Sequence, residues 1–78
     1  MNYIRYYYSE DFDHNNMLKA HSLTGDNFVT AVKVLNELGE VKIGNKMFRI
    51  ISLEFESGDD VDGIVNVCDV NVEELYGE

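Results

Sequence analysis

The chain has 78 residues, with 15 Asp+Glu against 6 Lys+Arg, a net charge of −9, two His, one Cys, no Pro and no Trp. That length allows one small domain, residues 1–78, burying only about 60% of its unfolded surface, and 45% apolar residues place it outside the low-hydrophobicity disordered class. A single cysteine supports neither an internal disulfide nor a Cys-based zinc site; no apolar run is long enough to span a bilayer, and Met1 to Arg5 has no apolar signal core, so a soluble intracellular protein is expected.

Residues 2–8 are β-branched or aromatic nearly throughout, which predicts a strand with Tyr3, Arg5 and Tyr7 on one face and Ile4, Tyr6 and Tyr8 on the other. Both faces are aromatic, so both should be covered or used. Ser9 to Asn16 is polar apart from Phe12 and reads as a loop; Met17 to Thr24 reads as a second strand. After Gly25, Asp26 or Asn27 can cap a helix over 27–38, with Phe28, Ala31, Val32, Leu35 and Leu38 on its apolar stripe and Gly39 at its C-terminal stop. Val41 to Ile43, a Gly44-Asn45-Lys46 turn and Met47 to Glu56 make a hairpin signal. After a loop at Ser57 to Asp60, a last strand is expected over Ile64 to Glu73.

The last two strands carry apolar groups on changing faces. Phe48 and Ile50 give way to Ile51, Leu53 and Phe55, and Val65 and Val67 give way to Cys68, Val70 and Val72. Antiparallel pairing of Ile50 with Val70, Phe48 with Val72, Leu53 with Val67 and Phe55 with Val65 makes both switches coincide. With Val41 opposite Ile50 and Ile43 opposite Phe48, one apolar patch lies under the helix. The ribbon beyond it would project roughly 15–20 Å with its apolar side on the opposite face. An isolated ribbon is unstable in water, so Ile51, Leu53, Phe55, Val65 and Val67 need the tyrosine strand, a second copy or a partner as cover. A β-bulge near 50–51 that rotates the strand is the alternative.

Residues 1–53 hold six acids and six bases; residues 54–78 hold nine acids and no base. The net charge therefore belongs to one strand-rich segment. Asp59, Asp60 and Asp62 cluster at its tip, and Glu54 and Glu56 form a row opposite Leu53 and Phe55, with alternate residues about 6.6 Å apart. Such a surface suits a protein partner with a basic surface, which it would attract and orient; solubility and edge protection are the competing explanation. Tyr6 and Tyr8 are candidates for the same interface or for a homodimer, since Tyr is enriched where proteins meet. Direct nucleic-acid binding is disfavoured by the charge.

Asp60-x-Asp62-Gly63 echoes part of a calcium loop but has Gly58 at the first ligand position, and Asp11-x-Asp13-x-Asn15 lacks the glycine; both fit turn chemistry. Cys68 falls among strand valines, where a buried thiol is the norm. His14 and His21 have no spacing that pairs them with a nucleophile, and the glycines form no phosphate loop. No catalytic residue, metal site or cofactor is expected.

The run Gly39 to Glu56, with its short strand, Asn45-Lys46 turn and Phe48-Arg49-Ile50 strand, resembles a pattern common in small proteins of Gram-positive phages and prophages. The resemblance covers about a quarter of the chain and is structural. It implies an accessory mobile-element protein in the cytoplasm of a bacterial host, a group rich in acidic inhibitors of nucleases and of CRISPR or restriction defences. The expectation is an α+β fold in the order β-β-α-β-β-β. It has an antiparallel sheet, one helix on one face and a protruding C-terminal hairpin. The function expected is a non-catalytic inhibitor or DNA mimic that presents Glu54, Glu56, Asp59, Asp60 and Asp62; the alternative is a homodimeric module whose charge serves solubility.

Overall fold

The computed structural model describes residues 2–11, 13–60 and 63–75, Asp60 by its backbone alone. Aromatic and β-branched residues form β1 (Asn2–Tyr8), followed by β2 (Met17–Leu23), α1 (Gly25–Leu38), β3 (Glu40–Ile43), β4 (Lys46–Asp60) and β5 (Gly63–Glu74). The fold is α+β. All five strands share one sheet in the order β2-β1-β5-β4-β3.

The sheet is mixed, which corrects the antiparallel expectation: β1 runs parallel to β5, from Asn2 opposite Asn66 to Tyr8 opposite Val72. β5 is thus the central strand. Its apolar residues on two faces suit that place, because a strand flanked on both edges can bury both sides. The C-terminal hairpin is accordingly built into the sheet, and only its tip, beyond Asn66, extends past β1.

The face switch at residue 51 is a bulge. Ile50 pairs with Val72 and Ser52 with Asn71, leaving Ile51 as the extra residue; Leu53 then opposes Val70 and Phe55 opposes Cys68. One inserted residue returns Leu53 and Phe55 to the face of Phe48 and Ile50, so β4 does not change its apolar side there. Val65 and Val67, opposite Gly58 and Glu56, face the other way, as does the bulged Ile51, which borders a cleft with Ser52, Glu54 and Asn71. The β4–β5 register also differs from the expected one, because pairing continues through 57–60 to Asp60 opposite Gly63, which holds a φ of 122° open to glycine. In the β3–β4 hairpin Val41 meets Phe48 and Ile43 meets Lys46. Gly44, at φ 62°, occupies the first position of a two-residue turn, which brings the strands together sooner than the longer turn expected.

The helix packs over one face, where Ile4, Tyr6, Leu35, Phe48, Cys68, Val70 and Val72 are buried, with Phe28, Ala31 and Val32 half-buried against them. Thr24 precedes the helix without a side-chain capping bond, and Gly39 ends it at φ 69°, its N–H donating to the Leu35 carbonyl at 2.9 Å. Leu38, expected on the apolar stripe, is exposed, as are Val29 and Val34.

Candidate functional site

The sheet face away from the helix carries Arg5 and Tyr7 from β1, Asp69 and Asn71 from β5, and Ser52, Glu54 and Glu56 from β4, as the strand registers require. Asp69 is 2% exposed in the middle of this face. The Arg5 guanidinium grips it through two bonds, Nε to Oδ1 at 2.8 Å and Nη2 to Oδ2 at 3.1 Å, and that pairing raises the Arg5 pKa. Arg5 Nη2 also reaches Glu56 Oε2 at 3.4 Å. Asn71, likewise buried, donates from Nδ2 to Ser52 Oγ at 3.1 Å and to Glu54 Oε1 at 2.9 Å.

The loop after β1 closes over part of this face. The Asp11 carboxylate accepts from the N–H groups of Asn15 and Asn16, which is turn chemistry. His14, at φ 52°, stacks on the buried Tyr7 ring at 4.2 Å. Its Nε2 lies 3.3 Å from Asn71 Oδ1 and its Nδ1 3.9 Å from Asp69 Oδ2. Ser9, Asp11, His14, Ile51, Ser52, Glu54 and Asn71 surround a cleft of about 230 Å³. Asn71 stands between His14 and Ser52 in this chain of bonds, so the imidazole makes no contact that would activate the hydroxyl. Among the described residues no three His, Cys, Asp or Glu side chains converge as a metal site. Cys68 is fully buried, and burial, with Asp69 beside it, pushes its thiol up to about 11.

The acids divide into two sets. Asp69 is neutralised by Arg5, Glu73 pairs with Arg49, and Glu74 pairs with Lys46 at 3.0 Å. Glu74 also accepts from the Tyr8 hydroxyl at 3.2 Å, and its pKa is lowered by the Lys46 ammonium first and that hydroxyl second. The N-terminal body thus returns three of its bases to the C-terminal segment. Glu54 and Asp59 make no ion pair among the described residues, and Glu56 shares Arg5 while remaining 65% exposed. Glu54 and Glu56 project from the open face, and Asp59, opposite Ile64, from the helix side. Near the tip, Glu56, Ser57, Gly58 and Asp59 border a hollow of about 650 Å³ with Val65 and Val67 in its floor. The side chain of Asp60 and all of Asp62 lie outside the described residues.

Tyr6 sits in the core at 4% exposure, its ring edge-on to His21 at 5.7 Å. Tyr8 is half-buried against Phe48 at 5.9 Å. The surface around the acids is therefore furnished by Ile51, Phe55 and Ile64, at 47%, 61% and 63% exposure. Sequence reasoning did not find the Arg5–Asp69 pair, although a lone charge inside an apolar run on each of two strands was its visible trace. Compared with known proteins, the chain matches no family model, no curated protein and no solved structure.

Proposed function

We propose that this chain is a non-catalytic binding protein that presents the acidic outer part of the β4–β5 ribbon to a basic surface on a protein partner. The observation that carries this reading is the division of the acids of β4 and β5: Asp69, Glu73 and Glu74 are paired with Arg5, Arg49 and Lys46, and Glu54, Glu56 and Asp59 stand exposed along β4. Charge arranged in this way accelerates encounter and fixes orientation, and exposed Phe55 and Ile64 beside it supply apolar area for a lasting complex. In its specific form the partner is a nucleic-acid-handling or defence protein of a bacterial host, whose basic groove the carboxylates occupy in place of phosphates. Replacing Glu54, Glu56 and Asp59 by Lys tests it: association should slow and lose its salt dependence, whereas unchanged association defeats the reading.

A homodimer is the second reading, favoured by Val34, 45% exposed where the helix borders an apolar groove of about 350 Å³ shared with Ile4, Leu23 and Ala31. Sedimentation decides this, since a strict monomer at high concentration removes it.

A further inference from the structure

The outer edge of β4 is open. β3 pairs only with Lys46 to Arg49 of that strand, and the Ile50 N–H donates to the Gly39 carbonyl at 2.8 Å. Beyond this point β4 has no strand on its far side among the described residues. The direction of its amides follows from β5. The Val72 carbonyl accepts from the Ser9 N–H at 2.7 Å, on the β1 side, so Val72, Val70, Cys68, Asn66 and Ile64 turn their backbone groups toward β1. Their partners on β4, namely Leu53, Phe55, Ser57 and Asp59, consequently turn N–H and C=O away from β5 and into solvent. This edge is about 20 Å long at the usual rise per residue.

We infer that the β4 edge from Leu53 to Asp59 accepts an extended segment of a partner protein as a sixth strand, and that this segment alternates basic and apolar residues. The inference rests on the proposed function and specifies how the partner docks. In an added strand, side chains alternate between the faces exposed along β4. Those on the open face meet Glu54 and Glu56, which calls for Lys or Arg at alternate positions. Those on the helix side meet the exposed Phe55 ring, which calls for an apolar residue between the bases.

Charge also excludes the other obvious occupant. When two copies of this edge pair antiparallel, the central registers place Phe55 opposite Phe55, Leu53 or Ser57 of the second copy. Each then sets Glu54 against Glu56, Glu54 against Glu54, or Glu56 against Glu56 on one face. Like charges directly opposite destabilise a pair of strands, so the edge resists a second copy and accepts a basic strand.

The test uses the full chain and an amide-capped peptide, Thr-Lys-Val-Arg-Val-Lys-Thr, at low salt. It is accompanied by a scrambled peptide with its bases contiguous and by a version N-methylated at the amides that would bond to β4. Binding by the alternating peptide, with NMR shifts in the Leu53, Phe55 and Ser57 amides, is expected. At least tenfold weakening is expected on N-methylation and again for Glu54→Lys/Glu56→Lys. If all peptides bind equally well but Glu54→Lys/Glu56→Lys weakens them, strand addition is overturned while the charged surface stands. If Glu54→Lys/Glu56→Lys has no effect, or no peptide binds at millimolar concentration, both fall. A dimer of the chain that blocks the peptide overturns the choice of occupant. Ser57→Pro, which removes one outward N–H and leaves the β5 ladder intact, provides the same comparison from the protein side.

Discussion

Arg5→Ala should be among the most damaging single changes in this protein. Asp69 is 2% exposed, and both of its oxygens are held by the Arg5 guanidinium. Truncating Arg5 leaves a carboxylate in the sheet without its cation, a change that costs about 3–5 kcal/mol when the pair is fully buried. Arg5 is itself 34% exposed and His14 27%, so water can reach the vacated site and the lower figure, about 3 kcal/mol, applies. A chain of this length has about 4–12 kcal/mol of stability in all. The melting temperature should therefore fall by about 12–24 °C. Asp69→Asn keeps the shape and leaves Arg5 free to turn to solvent, so it should cost only about 1 kcal/mol. Adding Asp69→Asn to Arg5→Ala should recover part of the loss, since it removes the stranded charge. Urea unfolding of the wild type, both single variants and the double variant measures the coupling. A loss under about 1 kcal/mol for Arg5→Ala, with no recovery in the double variant, would refute the assignment of Arg5 as the partner that makes the buried carboxylate tolerable.

Three further outcomes follow from the same structure. Burial lifts the Cys68 thiol from the ordinary 9.0 to about 11, so its contribution to stability is complete below pH 9 and lost as pH rises toward 11. Chemical denaturation across that window should show a decline to which Cys68 contributes on the order of 2 kcal/mol, so that Cys68→Ala shrinks it and leaves the part due to the Tyr6 and Tyr8 hydroxyls, which are also raised; an equal decline in that variant would count against it. Gly39→Ala forces a Cβ into a backbone at φ 69° with nothing within 4 Å to clash. The cost, about 1–2 kcal/mol, is thus purely conformational, and Gly39→Asn should lose less; equal losses would show that left-handed strain is not the cause. Deleting Ile51 should restore a regular ladder with Leu53 still opposite Val70. A thermal melt should then show a smaller loss than for Arg5→Ala, and unfolding would show that the bulge is required.

Local chemistry was legible along most of the chain. The tyrosine strand, the helix with its glycine stop and the Gly44-Asn45 reversal each rest on neighbouring residues, and each appears within a few positions of where the pattern places it. Long-range pairing was not. The apolar groups of β5 on both faces look the same whether a strand switches faces or lies centrally between two neighbours, and only its parallel contact with β1 separates the cases. The break in alternation at residue 51 was visible, but an inserted residue and a true change of face leave the same trace. Counting acids also overstated the ribbon, because Arg5, Lys46 and Arg49 are distant from their carboxylate partners in sequence and adjacent in space. Glu54, Glu56 and Asp59 remain exposed, while Tyr6 serves the core.

The central claim is that these exposed carboxylates recognise a basic protein. Its most direct measurement is a pull-down from a bacterial lysate, comparing the wild type with Glu54→Lys/Glu56→Lys/Asp59→Lys at about 0.1 M and about 1 M salt, where the screening length falls from about 10 Å to about 3 Å. The wild type should retain a defined protein at low salt and release it at high salt, and the variant should retain none of it at either. Retention of the same protein by both chains, regardless of salt, would contradict the claim.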